Sequence, residues 1–251
     1  MSAPSIELEM EELLLRIAPE LAEQWQGAPP DMIARVEKIA GRPLPPFYHW
    51  FLSRMGKSMG TLAYPTLDFS AERILACYAE KLVAPDSRFL LIGHESNELM
   101  PLHVFYDFDE PAREDALVTE RDAMGGELYD RFETLREMLA WGALLRFRVN
   151  KMPQKCEGIL SSDDPDLLSH LDPLMSSLGF IKPIPTGPRC GLYERHDAVM
   201  ICKRTPREEL LGHQAFRLGG RDAGVLRKIL GRMATESSLE VEVDEWTPAL
   251  R

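Results

Sequence analysis

Thirty residues, Asp31 to Gly60 (DMIARVEKIA GRPLPPFYHW FLSRMGKSMG), constrain this chain more than any others. Behind Asp31, read as an N-cap, Ile33, Val36 and Ile39–Ala40 recur at helical spacing. Gly41 stops that helix, because glycine takes the left-handed position after a helix at little cost. Arg42 and Leu44 each precede a proline and are driven extended. Pro45 and Pro46 then open a second helix, where a missing N–H matters least. That helix carries Phe47, Tyr48, Trp50, Phe51, Leu52 and Met55, and Gly56 closes it. Helix, rigid Leu-Pro elbow, aromatic helix and glycine stop form the entry module of a compact domain.

Charge separates the chain into two parts. Residues 1–150 hold 15 Lys+Arg against 25 Asp+Glu, whereas 151–251 hold 14 against 15. The first part therefore repels nucleic acid and anionic lipid and attracts basic surfaces. No apolar run approaches the ~20 residues that span a bilayer. The opening, Met1–Glu12, is acidic and lacks a positive n-region and apolar run, so no signal peptide is expected. Cys77, Cys156, Cys190 and Cys202 show no C-x-x-C spacing and read as reduced thiols of a cytoplasmic protein.

Along 1–150 the pattern predicts an N-terminal helix over Ile6–Trp25, kinked or split at Pro19, then the entry module. A short strand is expected at Thr61–Tyr64, a helix at Ala71–Leu82 capped by Ser70, and strands at Arg88–Ile92, Leu102–Asp107 and Ala116–Thr119. Gly93–Glu98 reads as a turn and Tyr129–Leu145 as a closing helix.

The order E-x-x-x-G-x-x-LP-x-x-(Y/F)-x-x-(F/L)-L falls on Glu37, Gly41, Leu44, Pro45, Tyr48, Phe51 and Leu52, with Trp50 inside it. It resembles the opening signature of the SUKH superfamily, with Arg54-Met55-Gly56 where that signature usually has an Asn-Gly turn. RFLLIG, LHVFYDF and Phe132-Glu133-Thr134-Leu135 resemble the later pieces, so the resemblance covers about residues 30–145. Such families include bacterial immunity proteins that neutralise toxins and eukaryotic signalling and cell-wall regulators; they are not known as enzymes. The resemblance implies a mixed α/β domain, a non-catalytic binding role, and structural duty for the motif residues.

Arg146–Lys155 is basic, polar and proline-bearing, which places a boundary between 1–150 and 151–251. Beyond it strands are expected at Cys156–Ser161, Phe180–Ile184, Gly191–Arg195, Ala198–Lys203, His213–Leu218 and Leu239–Asp244. Helices are expected over Pro165–Leu178, capped by Ser162 or Asp163, and from Asp222 to Met233. This rhythm predicts a smaller ferredoxin-like α+β sandwich, so the class of the whole chain is α+β.

The motifs that could carry catalysis are incomplete. Gly56-Lys57-Ser58-Met59-Gly60 matches G-x-S-x-G, but a nucleophile elbow needs a strand before the serine and a helix after it. The six histidines lack metal-ligand spacing, with His94 on a turn as the best acid–base candidate. Leu218-Gly219-Gly220-Arg221 precedes a helix whose cap, Asp222, already supplies a negative charge. No metal, cofactor or nucleic acid is expected.

The densest acidic stretch is Asp107, Asp109, Glu110, Glu114 and Asp115, read as a loop tip that docks a partner. The leading expectation is a bacterial immunity protein that plugs a cognate basic toxin, such as a nuclease, through this acidic face. The alternatives are an intracellular scaffold or regulatory protein, and an enzyme with a site in an inter-domain cleft.

Overall fold

The computed structural model describes residues 6–97, 99, 101–204 and 212–249. It is an α+β protein with two five-stranded antiparallel sheets. The chain divides into two units, Met1–Met138 and Leu139–Arg251.

The first unit contains α1 (Ile6–Ile17), α2 (Leu21–Gln24), α3 (Pro30–Ala40), α4 (Pro46–Met55), β1 (Leu67–Asp68), α5 (Ala71–Ala79), β2 (Phe89–Glu95), β3 (Leu102–Ala112), β4 (Asp115–Asp122) and β5 (Tyr129–Phe132). The strands form a meander in the order β1-β2-β3-β4-β5. The division between the units falls inside α6 (Leu135–Phe147).

The entry module forms, with one change at its start. Pro29 is the cap and Pro30 the first helical residue, so Asp31 lies in the first turn of α3. A proline at that position needs no N–H partner, and an acidic residue in the first turn suits the positive helix end. Gly41 caps α3 with φ 66° and donates its N–H to Glu37 O. Leu44, Tyr48, Phe51 and Leu52 are buried, whereas Trp50 is half-buried beside Phe47. Tyr48 meets Tyr106 of β3 edge-on, with ring centroids 5.2 Å apart, and Phe51 meets Phe69 in the same way. These contacts lay α4 on the sheet, which is why its large side chains are needed. Gly56 is not left-handed; it is required because a Cβ there would stand 2.4 Å from Leu52 O.

Several segments differ from the sequence pattern. Thr61–Tyr64 makes no strand; Gly60–Leu62 closes a 3-10 turn that buries Leu62. Strand β2 continues through Glu95 into the expected turn, whose last residue, Glu98, lies outside the described residues. Tyr129–Phe132 is strand β5 and not the start of a helix, because Val118 of β4 pairs with Phe132. Helix α6 begins only at Leu135, where Thr134 Oγ1 accepts the Glu137 N–H.

The second unit contains β6 (Gln154–Ser161), α7 (Leu167–Ser177), β7 (Cys190–Glu194), β8 (Ala198–Arg204), β9 (His213–Gly220), α8 (Ala223–Glu236) and β10 (Glu240–Thr247), with strand order β10-β6-β9-β8-β7. The connection is β-α-β-β-β-α-β, one strand more than the ferredoxin-like rhythm. The added strand is β7, at the sheet edge. Phe180–Ile184 contributes only a bridge from Ile181 to Glu194. Neither Ser162 nor Asp163 caps α7; Asp166 holds that position, reached through turns closed by Ser162 and Asp164. Leu171, Met175, Ile229 and Met233 of the two helices pack against Leu160, Met200, Phe216 and Leu218 of the sheet.

Candidate functional site

The acidic stretch is a hairpin rather than a loop. Strands β3 and β4 pair up to Ala112 and Asp115, apart from a bulge that takes in Phe108, Asp109 and Glu110, and Arg113 and Glu114 form the turn. Both have positive φ, 48° and 63°, the backbone of a type I′ turn whose twist suits two antiparallel strands.

This geometry sorts the five carboxylates into two kinds. Asp107 is buried in β3 and accepts both Arg88 Nε (2.8 Å) and Arg88 Nη2 (2.7 Å), with the Asp109 N–H as a third donor (3.1 Å). Such a two-pronged guanidinium pair fixes the strand and occupies the carboxylate. Asp115 is buried on β4, and its Oδ2 accepts the Leu135 N–H at the start of α6 (3.0 Å). Burial pushes its carboxyl up to about 6, against the pull of Tyr106, the Ala116 and Leu135 N–H groups and Arg136. The Tyr106 hydroxyl stands near enough to act on it, while falling short of full hydrogen-bond geometry. Asp107 and Asp115 are therefore internal supports, which corrects the expectation that all five dock a partner. Asp109, Glu110 and Glu114 are exposed; the Asp109 side chain is 64% accessible, with Arg88 at 3.7 Å.

The turn is tied down. Arg113 contacts Glu137, which is fully buried, and lies 3.3 Å from Glu133, both near the start of α6. Sequence reasoning missed Arg88, Arg113 and Glu137, whose roles arise from long-range pairing and leave no local pattern. The crevice beside the turn, lined by Phe47, Asp115, Thr134 and Arg136, has room for about 10 Å³, one water at most. This end of the unit offers a charged surface and not a substrate pocket.

Two other candidates are placed by the structure. Ser58 Oγ accepts the Gly60 N–H (3.2 Å), and among the described residues no imidazole hydrogen-bonds to it. It lines an open cleft of about 410 Å³ with Tyr64, Thr66, Asp68, Ser70 and Ser96. His94 lies on β2, stacked on His103 with ring centroids 4.7 Å apart. Arg73 approaches His94 Nε2 at 2.9 Å, and because a guanidinium only donates, Nε2 is the accepting nitrogen. His103 Nδ1 accepts the Glu95 N–H (3.0 Å). Burial, then Arg73, lowers the pKa of His94, and burial, then His94, lowers that of His103. The lone pair that would make His94 a base is occupied by Arg73.

In the second unit Asp222 Oδ1 accepts the Val225 N–H (2.9 Å), occupying the start of α8. Among the described residues no group of three or more potential metal ligands occurs, and no helix is long and apolar enough to cross a membrane. No protein-family model, curated protein or solved structure matches the chain.

Proposed function

We propose that this chain is a non-catalytic protein-binding module of SUKH type, an immunity protein that neutralises a basic toxin domain in the bacterial cytoplasm. The observation that carries this reading is the acidic hairpin tip. Asp109 and Glu110 of β3 and Glu114 of the turn project into solvent from a hairpin anchored by Arg88–Asp107 and by Arg113 on Glu137 of α6. Preorganised surface carboxylates lose little conformational freedom on binding, and a part of the chain with 25 acidic against 15 basic residues steers basic partners toward them. Nuclease domains that grip phosphate are basic, so such a surface complements and occludes them. Buried free thiols at Cys77, Cys156, Cys190 and Cys202 accord with a reducing compartment.

The test is affinity capture of the partner, followed by association kinetics between about 50 and about 150 mM salt. The rate is expected to fall with salt, and Asp109→Asn/Glu110→Gln/Glu114→Gln is expected to flatten that dependence without loss of fold. An association rate indifferent to both would remove the electrostatic face.

A further inference from the structure

Each sheet has two edges, and the described residues protect three of the four. Strand β1 has two residues and β5 four, too short to template another strand, and where β2 runs past β1 the Tyr78 hydroxyl of α5 takes the Leu91 N–H. Strand β7 is covered by Ile181, which exchanges two backbone hydrogen bonds of 2.9 Å with Glu194. Strand β10 runs for eight residues and, among the described residues, pairs only with β6. Every second residue of such a strand turns its N–H and C=O outward.

The side chains of β10 add a chemical requirement. Val241, Val243 and Trp246 pack toward the helices. Glu240, Glu242 and Glu245 stand in register with Ser161, Ile159 and Glu157 on the other face, and Asp244 sits at a bulge. Among the described residues none of these four carboxylates takes part in an ion pair, whereas Glu157 on β6 is paired with Arg217 at 3.0 Å. A charge or two suffices to discourage edge pairing; β10 carries four of one sign and no lysine.

We propose that β10 is a docking strand for an extended, basic segment of a partner protein, which adds to the sheet with Lys or Arg at every second position. Main-chain hydrogen bonds supply the attachment, and the alternating cations facing Glu240, Glu242 and Glu245 supply the choice of partner. A second copy of this chain is the wrong occupant, because β10 on β10 sets carboxylates opposite carboxylates. This role belongs to the second unit and does not depend on the hairpin tip of the first.

The test uses the full chain, amide hydrogen exchange and a blocked lysine-threonine alternating peptide of β10's own length. Two controls accompany it: the same peptide with alternate backbone nitrogens methylated, and a glutamate-threonine peptide. The lysine peptide is expected to slow exchange in β10 by about tenfold or more, and neither control to do so. Glu240→Lys/Glu242→Lys/Glu245→Lys, checked for fold by circular dichroism, is expected to weaken the lysine peptide about tenfold and favour the glutamate peptide, as three cross-strand charge pairs imply. The proposal is overturned if β10 is not protected, if the methylated peptide works equally well, or if the footprint lies only at Asp109, Glu110 and Glu114. Protection of β10 by self-association without peptide also overturns it.

Discussion

Replacing Asp115 by asparagine isolates one buried charge at the base of the hairpin. Burial raises the Asp115 carboxyl from its ordinary 3.8 to about 6, because ionising it means holding a charge out of water. A shift of about two units corresponds to roughly 3 kcal/mol between the two protonation states. The folded pKa lies above the unfolded one, so the native state binds this proton more tightly. Its stabilising contribution is therefore complete below about pH 3.8 and is lost as pH rises through about 6. Asparagine keeps the shape and does not titrate, so subtracting the Asp115→Asn stability from that of the wild type cancels the groups the two proteins share. Urea unfolding of both proteins from about pH 4 to about pH 7 should show that difference falling by roughly 3 kcal/mol. A flat difference would mean that burial does not perturb the carboxyl. A rising difference would mean that Arg136 and the N–H donors outweigh burial, and that the hairpin is closed by an ionised Asp115.

The remaining perturbations are read by the same unfolding measurements. Leu44→Ala at the elbow, 7% exposed, should cost about 2–5 kcal/mol. Trp50→Ala should cost less than the ~3 kcal/mol at which the range for a fully buried Trp begins, since Trp50 is only half-buried. Asp109→Asn/Glu110→Gln/Glu114→Gln should stay within about 0.5 kcal/mol of the wild type, as exposed substitutions do; a larger loss would make the tip structural. For His103, burial sets the folded pKa below the ordinary 6.5, so its stability contribution is full above that pH and lost as pH falls below it. The wild-type advantage over His103→Gln should therefore shrink on acidification, opposite in sign to the Asp115 effect, and an advantage that grows would reverse the assignment.

Local signals made the entry module legible. Gly41, the elbow prolines and the spacing of Phe47, Tyr48, Phe51 and Leu52 act within a few residues, so the sequence carries them openly. The errors fall where distant partners decide. Phe132, Leu135 and Leu139 are spaced like one helical face, yet Phe132 belongs to a strand because Val118 pairs with it. Phe180–Ile184 likewise looks like a strand in sequence, yet only Ile181 finds a partner, in a single bridge to Glu194 of β7. The five hairpin carboxylates look alike in sequence, and only the register that leaves Arg113 and Glu114 as the turn sends Asp107 and Asp115 inward.

The residues of that turn conceal it in the sequence: type I′ turns favour Asn-Gly, and this one is made by Arg-Glu. Left-handed backbone at a residue with a Cβ costs about 1–2 kcal/mol, so Arg113 at φ 48° and Glu114 at φ 63° must be held by something. The contacts of Arg113 with Glu133 and buried Glu137 are that restraint. The two positions should therefore answer glycine differently. Glu114→Gly relieves strain at an exposed residue and should leave stability equal or higher by up to about 1 kcal/mol, after the extra freedom of glycine in the unfolded chain is subtracted. Arg113→Gly relieves the same strain but takes a cation from a buried carboxylate, a loss of about 3–5 kcal/mol where pairing is tight. Denaturant melts of the two variants should move apart by at least about 2 kcal/mol. If both shift by the same amount, backbone strain governs the turn, and the anchoring of the acidic tip to α6 is not what holds it in place.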